Sequence, residues 1–161
     1  MAQDKAMTAR GRMRLVVRDG GRIVAERRAG NIVLRQGAAI VAGLFAGSAG
    51  SKPIDAVKVG FGREASDAEA TALTPPAEAI PPAALVSPIA ASDFTISLGQ
   101  PDFVHVAVSA VFKPTVELKD VTEAGLMAGD RLYNQVVFEP VILSPGRDIT
   151  FFWEIDFPFG N

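Results

Sequence analysis

The stretch Val121–Phe157, VTEAGLMAGDRLYNQVVFEPVILSPGRDITFFWEIDF, decides the fold class of this chain. At its end Ile149, Phe151, Trp153, Ile155 and Phe157 share one parity, while Thr150, Glu154 and Asp156 take the other. That period of two marks an antiparallel strand with one buried face. Upstream, Leu132–Phe138 and Val141–Leu143 read as strands interrupted at Pro140, and Ser144-Pro145-Gly146 as the turn into the terminal strand. Glu123-Ala124-Gly125-Leu126 reads as a strand end. There Gly125 supplies a bend, Leu126 turns into the core, and Glu123 is placed to accept hydrogen bonds from backbone amides at the bend. Gly129-Asp130 then turns a hairpin over Val121–Phe138.

The same alternation extends outward. Phe94–Leu98 and Phe103–Phe112 are β-branched and alternating, Ile54–Phe61 is a strand running into a β-turn at Gly60-Phe61-Gly62, and Val116–Leu118 is a further short strand. Arg12–Arg18 and Arg22–Arg28 form a hairpin about Asp19-Gly20-Gly21, with Met13, Leu15 and Val17 as its apolar face. Asn31 stands as the N-cap of a helix over Ile32–Phe45, apolar nearly all round and so expected to be buried between the sheet and a second surface. Pro75, Pro76, Pro81, Pro82 and Pro88 exclude a central strand from 74–92 and favour an extended arm or long loop, placed across a neighbouring subunit or left flexible. The expected fold is mainly β: an antiparallel β-sandwich or jelly-roll-like domain over 31–161 with one short helix. A basic hairpin or arm over 1–30 and the Pro-rich insertion at 74–92 are appended to it.

With 161 residues and 48% hydrophobic content, the chain builds one ordinary core. Zero cysteines remove disulfides, thiol catalysis and Cys-ligated metal sites together. The N-terminus carries charges and no apolar run of signal-peptide length, and the stretch Ile32–Phe45 carries Arg35 and Gln36 and is too short to span a bilayer, so the expectation is a protein made and kept in a cytoplasm. Residues 1–35 carry nine basic side chains against Asp4, Asp19 and Glu26, a balance of +6, so the remainder carries −8 within the total of −2. Arg12, Arg14, Arg18, Arg27 and Arg28 therefore read either as a solvated strand face or as contacts to an acidic neighbouring subunit. Nucleic acid is disfavoured because no aromatics interleave them for base stacking.

Chemistry is sparse. His105 is the only histidine, sits mid-strand and has no second histidine to help hold a metal; Asp102 is its nearest sequence partner. Gly60-Phe61-Gly62 lacks the third glycine of a dinucleotide fingerprint, and no P-loop lysine follows. Glu154 with Asp156, or Asp148 with Glu139, has the composition of a glycosidase pair, but Glu154 and Asp156 leave one strand on its polar face and read as a solvated face or an inter-subunit salt bridge. No catalytic, cofactor-binding or metal-binding residue is assigned. The assembly candidates are Arg12, Arg14, Arg18, Arg27, Arg28, Pro75, Pro76, Pro81, Pro82, Glu154 and Asp156, and the structural motif is Glu123, Gly125, Leu126 and Trp153.

VTEAGLM followed by GDRLYNQVVFEPVILSPGRDITFFWEIDF resembles a recurring pattern of small virion proteins of tailed bacteriophages, found in tail, baseplate, collar and fibre-attachment modules. The upstream NIVLRQGAAIVAGLFAG and IDAVKVGFGREASDAEATAL resemble the family's order of helix, strand with a glycine pair and acidic Thr-Leu stretch. Met127 departs from it, standing where an aromatic is common, and so does the long proline-rich segment. The resemblance implies a non-enzymatic building block of a virion, assembled in the host cytoplasm. It would bind copies of itself, as a trimer or hexamer ring, and other phage structural proteins, with no membrane partner and no cofactor. Two competing readings remain: a receptor- or glycan-binding tail tip, for which Tyr133 or Trp153 would have to be exposed, and a cell-wall or capsule hydrolase.

Overall fold

The computed structural model describes residues 9–160, so the first eight residues of the basic N-terminal segment lie outside the described residues. Ten strands form one antiparallel sheet: β1 Arg10–Asp19, β2 Arg22–Val33, β3 Ala56–Gly60, β4 Val86–Pro88, β5 Phe94–Ser97, β6 Phe103–Phe112, β7 Leu118–Ala128, β8 Arg131–Leu132, β9 Asn134–Leu143 and β10 Asp148–Pro158. Helix α1 spans Arg35–Ala46, and short 3-10 turns cover Pro82–Leu85 and Ala91–Asp93. Neighbours run β4-β3-β7-β9-β2-β1-β10-β6-β5, with β8 added on β7.

β2 joins the two halves. Its length pairs with β1 from Asp19↔Arg22 to Gly11↔Asn31, and its last residues, Ile32 and Val33, pair with Gln135 and Asn134 of β9. The sheet curls there, and β2-β1-β10-β6-β5 faces β9-β7-β3-β4 across one core. Leu15, Phe112, Phe151 and Trp153 enter it from the first layer, and Val57, Leu126, Val136 and Leu143 from the second, each almost fully buried. Side chains of this size contribute roughly 1.5–3 kcal/mol each on burial. Phe151 stacks on Trp153 at 5.6 Å and meets Phe112 edge-on at 6.0 Å, so the terminal strand supplies the aromatic centre. The mainly β, sandwich-like class read from the alternation holds.

Several local expectations change. The basic hairpin is no appendage, because β1 lies between β2 and β10 and buries Met13, Leu15 and Val17. Its turn is the glycine pair Gly20 and Gly21, with φ of 56° and 83°, values that side chains disfavour. Asn31 is not the N-cap: Ile32 and Val33 continue β2, and the helix starts after Leu34 with no side-chain cap. Nor is the helix buried all round, since only Gly37 and Ile40 are. A Cβ on Gly37 would lie 2.0 Å from the Tyr133 carbonyl oxygen, so glycine seats the helix directly on the β8–β9 backbone.

The proline-rich segment folds back onto its own domain. Pro82 opens a 3-10 turn, Leu85 and Ile89 are buried, and β4 pairs with β3 from Ala56↔Pro88 to Lys58↔Val86. Pro75, Pro81 and Pro82 are exposed and Pro76 is half-buried, so only 74–83 keeps the character of a surface loop. β9 runs straight through Pro140, because β2 pairs with it only at the opposite end and Pro140 owes no hydrogen bond there. Arg27 fills the gap instead, donating to the carbonyl oxygens of Glu139 at 2.9 Å and Pro140 at 2.6 Å.

Candidate functional site

Glu123 is the only carboxylate among the described residues that is fully buried, at 1% exposure. It lies in the middle of β7 rather than at a strand end. Ala124 and Leu126 point into the main core, so Glu123, Gly125 and Met127 point to the opposite face. That face is covered too. Leu34, Ala56, Leu73, Met127 and Leu132 form a second, smaller core there, roofed by the loop between β3 and β4.

Glu123 clamps that roof. Its Oε1 accepts the backbone N–H of Thr74, and its Oε2 accepts Gln135 Nε2 at 2.9 Å. Gln135 in turn accepts the Asp67 N–H at 3.4 Å, Thr122 Oγ1 donates to the Gly62 carbonyl, and Phe61 N–H donates to the Thr74 carbonyl at 3.0 Å. A Cβ at Gly60 would lie 2.5 Å from Glu123 Oε1, and one at Gly62 would lie 2.9 Å from Oε2. The glycine pair read as a plain turn is therefore what lets the loop close on the acid. Glu123 does accept a backbone amide, but from a residue 49 positions away rather than from its own bend. Gly125 is required for close approach, since a Cβ there would lie 2.4 Å from the Asn134 carbonyl oxygen. Asn134, buried beside it, accepts the Leu126 N–H through Oδ1 at 2.8 Å. Both donors to Glu123 are fixed and the glycines close the remaining space, so this acid is held as a structural acceptor.

The outer face of β2-β1-β10-β6 is a charge ladder. Arg12 pairs with Glu154 directly opposite in register, and Arg14 at 3.0 Å and Arg28 at 2.7 Å share Glu26. The Arg14 and Arg28 guanidiniums, Arg14 first, hold the Glu26 carboxyl below its ordinary value. Arg18 reaches only the Gly21 carbonyl at 3.5 Å. Arg12 with Glu154 thus joins the basic segment 1–35 to the acidic remainder, whereas Arg14 and Arg28 pair with Glu26 inside that segment, so Arg12, Arg14, Arg28 and Glu154 all sit in intramolecular pairs.

One row of this ladder has the composition of a hydrolase site. Ser97 of β5, His105 of β6 and Asp156 of β10 stand opposite one another, and His105 Nδ1 lies 2.6 Å from Asp156 Oδ1. The partner of His105 is thus Asp156 and not Asp102. Ser97 makes no hydrogen bond to the imidazole among the described residues, and flat strand pairing brings no pair of backbone amides over the serine to hold an oxyanion. The row is read as strand-face polarity. Among the described residues no group of three or more His, Asp or Glu is placed to hold a metal ion, and no helix is long and apolar enough to cross a membrane.

No family model matches the chain, and searches of curated proteins and of solved structures return no match.

The aromatics required of a glycan-binding tip are inside: Trp153 is fully buried, and Tyr133 is 3% exposed with its hydroxyl pKa raised by that burial. What stands out on the surface is aliphatic and Phe instead, with Phe45 95%, Leu98 75% and Ile96 65% exposed. The sequence assigns no role to Phe45, which only ends the expected helix, nor to the clamp partners Thr74 and Gln135. The end of an uncharged apolar helix was the available signal for the first, and no spacing signal existed for the others.

Proposed function

We propose that this chain is a non-enzymatic structural component of a bacteriophage particle, of the tail, baseplate, collar or fibre-attachment apparatus, acting through contacts with copies of itself and with other particle proteins. Three lines support the reading. The EAGL to WEIDF block resembles the recurring virion module, and its one buried acid serves as a clamp with no open space for a substrate. The observation that carries most weight is the exposure of Val41, Leu44 and Phe45 side by side on α1 of a chain with a well-filled core, since contiguous exposed apolar surface marks interaction sites.

The test is the composition of particles. Particles released from producing cells and banded by density should contain this chain in fixed, multiple copies per particle, measured by quantitative mass spectrometry. A chain abundant in the lysate and absent from banded particles refutes the reading. Incubation with peptidoglycan or capsule should release no reducing ends, and turnover abolished by one carboxylate substitution would transfer the assignment to a hydrolase.

A further inference from the structure

Helix α1 carries a knob beside a hole. Ala38 and Val41 line a mainly apolar groove of about 850 Å³ whose other walls include Arg10 and Gly11 at the start of β1, Val33 at the end of β2, Tyr133, and Phe157 near the end of β10. Phe45 follows Val41 by four residues and Ala38 by seven, so it stands on the same helical stripe one turn beyond the groove. It is 95% exposed, and Val41 and Leu44 beside it are each 44% exposed. From Gln36 to Ser51 the chain has no charged residue.

We propose that α1 is a homodimer contact, in which Phe45 of each copy enters the groove of the other about a two-fold axis. A knob and a hole on one stripe, a helical turn apart, form a self-complementary patch, and an isologous contact requires that residue i meet j while j meets i. Such a contact also sets like residues close together, and sixteen uncharged residues remove the repulsion that would oppose it. Covering Phe45, Leu44, Val41 and the groove walls removes on the order of 500 Å² per copy, within reach of the ~800 Å² per partner of a standard interface. The inference rests on the assembly reading and sharpens it: a ring of six accommodates three such pairs, and a ring of three accommodates none.

The test is the mass of the purified full chain by light scattering and sedimentation across concentration. The wild type should be a dimer, or an even multiple of one. Phe45→Glu should weaken association at least a hundredfold while circular dichroism stays unchanged and the urea midpoint equals that of wild type diluted until it is monomeric, because the replaced ring lies outside the core. Val41→Lys should do the same from the groove side, and mixing the two variants should restore a dimer, since one contact then joins opposite charges and the other is native. A Phe45→Glu variant that keeps the wild-type mass overturns the proposal, as does failure of the mixture to pair. A wild type that stays monomeric overturns it too. If removal of residues 1–8 then produces the dimer, the groove belongs to the chain's own N-terminal segment; if not, it belongs to a different protein. Banded particles that contain a monomeric chain would sink the pair and leave the virion assignment standing, whereas a dimer missing from particles would do the reverse.

Discussion

Replacing Glu123 separates a structural acid from a catalytic one. Glu123→Ala strands two donors, the Thr74 N–H and Gln135 Nε2, and leaves a void under the loop. A hydrogen bond to a charged group is worth about 1.5–3 kcal/mol, and the part-buried bond of the Thr74 N–H is one that water restores in part. With the void included, the net loss is about 3–4 kcal/mol. For a domain of this size that corresponds to a fall in Tm on the order of 10 °C. Glu123→Gln keeps the shape but turns one acceptor into a donor. The Gln135 amide can flip to meet it by giving up the Asp67 N–H, so the cost is about 1–2 kcal/mol.

Urea unfolding measures the magnitude, and amide hydrogen exchange locates it. Protection should drop first at Thr74 and Phe61, whose N–H groups close the roof. A double-mutant cycle adds a sharper condition. Gly62→Ala should cost roughly 1–3 kcal/mol in the wild type, where the new methyl meets Thr74 Oγ1 and both carboxylate oxygens, and less in the Glu123→Ala background, where only the rotatable hydroxyl remains in its way. An unchanged urea midpoint and unchanged exchange at Thr74 in Glu123→Ala would refute the clamp. A variant that gained stability while losing an activity would mark Glu123 as catalytic.

Three further outcomes follow from the packing. Trp153→Ala should cost about 3–5 kcal/mol in urea unfolding, and Trp153→Phe far less, because the buried indole N–H has no partner among the described residues; equal losses would show that the N–H is satisfied. Gly125→Ala should destabilise by about 1–3 kcal/mol, since the methyl would have to displace the Asn134 carbonyl on the neighbouring strand, and a neutral result would refute that close approach. The Glu26 carboxyl should titrate below its ordinary value by NMR and return toward it in Arg14→Met. A carboxyl whose folded pKa is depressed contributes stability that is present above its unfolded pKa and is lost as pH falls through the folded one, so the Arg14→Met effect on stability should vanish in acid.

What could be read from sequence followed the range of the signals. Alternation is local, so β6 was delimited at Phe103–Phe112 and the terminal strand nearly so. Asn31 misled because a capping residue and a strand residue look alike until the partner strand is known, and here pairing to β9 carries Ile32 and Val33 past it. Pro140 misled because the rule against proline in a strand assumes a neighbour on both sides, which β9 lacks at that point. The proline-rich segment reads as an arm because its prolines mask Leu85 and Ile89, the apolar anchors that the structure buries. The clamp is half legible: Glu123 and the glycine pair stand out in the sequence, but nothing in a single sequence joins residues 60, 74, 123 and 135.

The two polar constellations that resemble chemistry fail for one physical reason. Catalysis needs groups converging on a point, with a reacting atom about 3 Å from both nucleophile and oxyanion donors, and loops at the end of a scaffold provide that convergence. In this chain strand register places the polar groups. Ser97, His105 and Asp156 stand in a row across three strands, with cross-strand spacing that suits ladders of pairs. Glu123 is converged upon, but by its own loop, which fills the position a substrate would need. A domain built this way can still be specific, through surfaces whose shape the sheet holds rigid. The exposed stripe of α1, on a helix seated on Tyr133 by Gly37 and ending in Phe45, is a surface of that kind which the described residues leave uncovered.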